Sequence, residues 1–252
     1  VHGFVDYFFQ RHMAERFAAE GYAFFALDLR KHGRSLLAHQ HPCFCKDVAE
    51  YHADIARAID EIGAPVLLAG HSTGGLVCAL YAGRGERRDA VRALWLNSPF
   101  FDWKVPSWKR AQLGLAALTG QAFPFLSDPK ALSDLYVRSL HRDFGGEWDF
   151  DLTLKPLYGF PAFFGWIGAI LAAQATGDRR IFVGVTDPID PRIETPEEGR
   201  DRIRAAARLI DEFVLVVEWA KTPEGVLSRA VSRAEMVHPK IIGFVLNKVD
   251  FS

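Results

Sequence analysis

The sequence predicts an α/β fold, a parallel sheet with helices on both faces and a helical insertion between two of its strands. Three observations predict it. Short apolar runs of strand length alternate with longer amphipathic stretches along most of the chain, and strands buried on both faces read as continuous apolar runs joined by crossover helices. The runs end on turn-forming or polar residues: Leu27 is followed by Asp28, Ala69 by Gly70, and Leu96 by Asn97. Between residues 103 and 176 the alternation stops, and Trp, Phe, Gly and Pro crowd together without a clear strand.

Taken in order, Gln10 to Glu20 is helix-like and Tyr22 to Leu27 is the first apolar run. Cys45 to Ile62 is the next helical stretch, followed by the strand Pro65 to Ala69, the helix Gly75 to Gly83 and the strand Val91 to Leu96. After the aromatic-rich insertion, Arg180 to Val185 is strand-like. Thr195-Pro196-Glu197-Glu198 then starts a helix, with a Thr cap, Pro in the first turn and Glu three residues after the cap. Ile203, Ala206, Ala207 and Ile210 share its apolar face. Phe213 to Val217 is a strand, Thr222-Pro223-Glu224 opens another helix, and Lys240 to Leu246 is the last strand.

A chain of 252 residues holds one large α/β domain or two small ones. Its 30 basic and 31 acidic residues nearly cancel, which argues against nucleic acid or an anionic membrane surface as an electrostatic partner. The longest apolar run, Gly159 to Ala173, is short of the roughly 20 residues a membrane-spanning helix needs. Cys43, Cys45 and Cys78 form an odd, sparse set, the usage expected of a reducing cytoplasm. The chain opens at Val1 inside a motif and reads as a piece of a longer protein.

The sharpest motif is Pro65-Val66-Leu67-Leu68-Ala69-Gly70-His71-Ser72-Thr73-Gly74-Gly75. A buried strand runs into G-x-S-x-G and a helix follows, the arrangement of a nucleophile elbow. Ser72 would sit on a strained turn with its hydroxyl above the strand ends. Gly70 and Gly74 would keep Cβ atoms away where strand and helix nearly touch, with His71 between them on the elbow. The Thr73 N–H, opening the helix, would face a developing oxyanion. Upstream, Val1-His2-Gly3-Phe4 places a His-Gly pair where Phe4 would supply a second oxyanion N–H.

Asp28-Leu29-Arg30-Lys31-His32-Gly33-Arg34-Ser35 is similar to the D-x-R-x-H-G-x-S loop of lysophospholipases and monoacylglycerol lipases. With the elbow, the His-Gly loop and Asn97-Ser98-Pro99 in the same order, residues 1 to about 172 resemble the α/β-hydrolase superfamily, including its serine aminopeptidase-like members. The resemblance implies a hydrolase core over 1–102 that lacks the family's first strands, a cap over 103–176, and strand-helix units over 177–252 that complete the sheet. It implies a structural, bracing role for the D-x-R loop and its His32. It also implies ester hydrolysis through an acyl-enzyme on Ser72, with a small ester or lipid-like substrate and no cofactor.

The triad is harder to complete. The family takes its acid after the first strand beyond the cap, where Asp187 stands, and Asp102 after the Val91–Leu96 run is the alternative. Glu218-Trp219-Ala220-Lys221, directly after the Phe213–Val217 strand where the family places its base, holds no histidine. His238 is the one histidine beyond the cap and the candidate base, although it leads into a strand, at the sheet edge opposite the catalytic loops. His71 adjoins the serine but points elsewhere on an elbow, and His141 in the insertion is a further candidate.

The tail carries other resemblances. Residues 178–207, with Arg180 to Asp187 and Glu194 to Glu198, resemble cobalamin-independent methionine synthases. Residues 208–252, with Val216-Val217-Glu218-Trp219 and Val245 to Asp250, resemble bacterial polysaccharide-export tyrosine kinases. Together they suggest a composite chain, with a methyltransferase or kinase relative as a third functional reading and a non-catalytic hydrolase-like domain as the second. Neither piece brings a zinc site or a phosphate loop, so Asn247-Lys248-Val249-Asp250 has no nucleotide to read. His39-Gln40-His41-Pro42-Cys43-Phe44-Cys45 lacks a second ligand pair and reads as a loop, not a metal site.

Overall fold

A computed structural model describes residues 1–103, 105–127 and 133–176, and the backbone of 213–218 and 241–247. Helix α1 is Arg11–Ala19, α2 is His52–Ile62 and α3 is Thr73–Arg84, with strand β1 (Val66–His71) before α3 and β2 (Val91–Asn97) after it. Helices α4 (Ser107–Ala122), α5 (Leu135–Leu140) and α6 (Phe164–Thr176) lie between β2 and β3 (Phe213–Glu218), and β4 is Ile241–Asn247.

Strands β1 and β2 pair in parallel, in register from Leu67 opposite Ala93 to His71 opposite Asn97. Strands β3 and β4 form a second parallel pair, and β4 runs close beside β2. Val1 extends the first pair on its other side: its amine donates to Ala69 O at 2.7 Å, and its carbonyl accepts from His71 N at 3.0 Å. The fold is α/β, a small parallel sheet flanked by helices with a helical region inserted after β2.

Helix α3 is the axis of the core. Its residues Thr73 to Tyr81 are all buried, as an apolar helix enclosed on every side must be. Helix α2 presents Ile55, Ala56 and Ile59 to it, and α6 adds Trp166, Ile167, Ile170 and Ala173. Each such aliphatic side chain contributes about 2 kcal/mol on burial. The chain enters α2 through a short 3-10 turn, Val48–Tyr51, that Asp47 and Glu50 close with a capping box, and it leaves through Gly63 at φ 64°. Helices α4 and α6 approach closely through small residues: a Cβ at Gly120 would stand 2.5 Å from the Phe164 carbonyl carbon, and one at Gly168 3.6 Å from Ala117 Cβ.

One expected strand is absent from both ladders. Tyr22 to Leu27 pairs with no described strand, and Tyr22 and Phe25 are exposed. The expected strand Arg180–Val185 and the helices opening at Thr195 and Thr222 lie outside the described residues, as do Asp187 and His238. Among the described residues, no helix is long and apolar enough to cross a membrane.

Candidate active site

Strand β1 delivers the chain to Ser72 in a conformation that few non-glycine residues adopt, with φ 52° and ψ −120°. Such a backbone stores on the order of 1–3 kcal/mol and persists only where its surroundings hold it. Here the Ser72 N–H donates to Asn97 O at 2.9 Å, and the Ser72 carbonyl accepts from Gly75 N and Phe100 N, each at 2.9 Å. The flanking glycines are sterically required. A Cβ at Gly70 would stand 2.5 Å from the Gly74 carbonyl oxygen, and one at Gly74 would strike the His2 carbonyl oxygen.

That last contact shows where the His-Gly loop lies. It packs on the first turn of α3, so close that a Cβ at Gly3 would sit 3.1 Å from Ser72 Cβ. Thr73 is buried at the positive end of α3. Among the described residues, neither Thr73 N–H nor Phe4 N–H has a hydrogen-bond acceptor. The Phe4 ring stacks on Trp166 with centroids 4.1 Å apart, and Trp103 joins them edge-on, itself against Phe100. The residue after the His-Gly pair thus joins an aromatic group drawn from the loop after β2 and from α6.

The D-x-R loop braces this corner. His2 donates from Nδ1 to Gly3 O at 2.8 Å and accepts Leu29 N–H on Nε2 at 3.0 Å, which fixes its tautomer as neutral. Burial pulls its imidazole below the ordinary value. Burial, with neighbouring His2 adding to it, pushes His32 down to about 3. Asp28 binds Arg34 at 2.7 Å, and Arg30 grips Asp54 with two nitrogens. No atom of His32 is positioned as a catalyst by these contacts; it fills the corner between His2 and Tyr51.

The other candidate residues are not gathered around Ser72 by the described structure. Asp102 is half-exposed and ion-paired with Arg110 at 3.0 Å. His141 is buried in the insertion with both ring nitrogens engaged: Nδ1 accepts from Asp143 N, and Nε2 donates to Phe150 O at 3.0 Å. That ring has no nitrogen left for a serine proton. His71 is mostly buried, its Nδ1 without a partner, and desolvation lowers its basicity. Among the described residues, no group of three His, Cys, Asp or Glu side chains could hold a metal ion; Cys43 and Cys45 are buried thiols, both pushed up to about 12 by burial.

Two ties near the site have no sequence motif behind them. Lys155 Nζ meets Asp6 Oδ1 at 2.7 Å with both side chains buried. Tyr7 Oη accepts the Asp151 N–H at 2.7 Å. Asp6 and Tyr7 directly follow the His-Gly loop, and their partners lie near residue 150. The one available signal was the cluster Trp148-Asp149-Phe150-Asp151 with Lys155 shortly after it, a density of aromatic and charged residues unusual for a loop.

A strained serine between strand and helix, with a second loop packed on it, defines an α/β-hydrolase. Residues 1–142 match the family described as serine aminopeptidase, S33, and the chain belongs to that family. Among solved structures, it is similar to a monoacylglycerol lipase of Paleococcus ferrophilus, with 22% identity over 98% of this chain and 81% of that one, at a TM-score of 0.52. It is also similar to a soluble variant of monoglyceride lipase from Saccharomyces cerevisiae, with 15% identity over 98% and 75% of the two chains, at a TM-score of 0.58. At these identities the likeness speaks for the fold. No curated protein matches the chain, and the methionine synthase and tyrosine kinase resemblances of the tail gain no support from these comparisons.

Proposed function

We propose that the chain is a serine-type carboxylic-ester hydrolase of the monoacylglycerol-lipase or lysophospholipase kind. Ser72 Oγ attacks the acyl carbonyl, the Thr73 and Phe4 N–H groups hold the oxyanion, and water releases the acyl-enzyme. The observation that carries this reading is the elbow itself. Its strained serine, its two sterically required glycines and the His-Gly loop against Ser72 Cβ are costly features with no evident purpose in packing alone. Asp187 is the proposed acid and His238 the proposed base, with Asp102 as the alternative acid. The aromatic group of Phe4, Phe100, Trp103 and Trp166 suits a medium or long acyl chain, and the two lipases named above act as support for a lipid-like ester.

A second reading, a non-catalytic domain that keeps the elbow, is favoured by the engagement of both His141 nitrogens. Hydrolysis of p-nitrophenyl esters from acetate to palmitate decides between them. The proposal expects turnover that favours the longer chains and falls at least roughly 1000-fold in Ser72→Ala. A folded protein that turns over none of the esters supports the non-catalytic reading.

A further inference from the structure

The segment that follows the oxyanion loop is bound to the insertion at three points. Asp6 forms the buried ion pair with Lys155, 149 positions away. Tyr7 takes the Asp151 N–H on its hydroxyl, and its ring packs with Val137 and Phe150 in a small core separate from that of α3. Lys155 Nζ also lies 5.5 Å from the Phe9 ring centroid, 5.2 Å from that of Tyr136 and 5.8 Å from that of Phe150. A lysine ammonium enclosed by three rings and one carboxylate cannot exchange that carboxylate for water, so its position dictates that of Asp6.

Between the tie and the proposed oxyanion donor stands a single residue, Val5, buried and held at φ 49°. A β-branched side chain in the left-handed region resists that conformation and relaxes out of it unless both flanks are clamped. Phe4 is clamped on one side by its stack on Trp166, and Asp6 on the other by Lys155.

We propose that the buried Asp6–Lys155 pair is a latch through which the insertion sets the oxyanion loop, making Asp6 and Lys155 positioning residues for the Phe4 N–H. This rests on the ester-hydrolase reading of Ser72. With the latch closed, Val5 stays in its strained conformation and the Phe4 N–H stays presented beside Ser72. With it broken, Val5 relaxes and the donor turns away while Ser72, Thr73 and the aromatic rings remain in place.

The test compares wild type, Lys155→Met and Tyr7→Phe in ester turnover and in binding of an aliphatic trifluoromethyl ketone, whose serine adduct carries an oxyanion. Lys155→Met strands a buried carboxylate and is the harsher change; Tyr7→Phe removes one hydroxyl, keeps the ring and leaves the Asp6–Lys155 pair intact, so it loosens the neighbouring tie between the same two segments more gently. Assays run well below each variant's own melting temperature. The latch expects kcat to fall on the order of 100-fold in Lys155→Met and several-fold in Tyr7→Phe, with KM nearly unchanged, because a donor used only in the transition state is lost. Affinity for the ketone falls in parallel. Folded variants with wild-type kcat and wild-type ketone affinity overturn the latch while leaving the hydrolase reading intact. A wild type that neither turns over esters nor binds the ketone overturns both.

Discussion

Ser72 keeps φ 52° because four backbone hydrogen bonds hold it and because no Cβ intrudes at Gly70 or Gly74. Gly74→Ala places a methyl group into the His2 carbonyl and must move either the elbow or the loop. It should cost about 3 kcal/mol in a urea titration and remove ester turnover; a stable, active Gly74→Ala would contradict the elbow geometry. The buried histidines make a separate prediction. His32 titrates near 6.5 when unfolded and is pushed down to about 3 by burial and by His2, so its stabilisation is complete above 6.5 and is lost as pH falls toward 3. Unfolding at about pH 5 should therefore need at least about 2 kcal/mol less than at about pH 7.5, and a flat profile between the two would refute the neutral, packed corner. The elbow residues were legible in the sequence, since G-x-S-x-G after an apolar run has few other structural uses. The Asp6–Lys155 pair was not, because charged side chains ordinarily face water and nothing local links positions so far apart.

At the scale of elements, the two glycines of α4 behave differently. A Cβ at Gly120 would meet Phe164 backbone, whereas one at Gly114 would meet nothing within 4 Å. Gly114→Ala should stabilise the protein by about 0.5–1 kcal/mol through helix propensity alone. Gly120→Ala should destabilise it by about 1–3 kcal/mol by pushing α4 off α6. Thermal melts of the two single variants check the pair, and equal shifts would contradict the packing. Helices were read well from sequence because an amphipathic stretch and its caps are local: α2 has its capping box at Asp47 and Glu50 and its stop at Gly63. The Tyr22–Leu27 run reads as a strand but joins no described ladder, because apolar, β-favouring residues favour a strand only where a neighbour is there to pair with. Val1, by contrast, pairs with β1 although a single residue carries no strand signal.

For the whole molecule, the order of motifs along the chain proved more informative than any one of them. The His-Gly loop, the D-x-R loop and the elbow are separated by dozens of residues, yet His2 hydrogen-bonds Leu29 and its carbonyl abuts Gly74. What sequence order could not supply is the base. The candidate acid and base, Asp187 and His238, lie outside the described residues, and a triad is recognised by mutual geometry, not by position along the chain. We propose that Ser72 is an activated nucleophile. Labelling by a fluorophosphonate probe tests it most directly, because the probe traps only a serine whose proton has somewhere to go. An activated Ser72 labels in the wild-type protein and loses all label in Ser72→Ala; a folded wild-type protein that takes up no label, or a Ser72→Ala variant that labels equally, would contradict it.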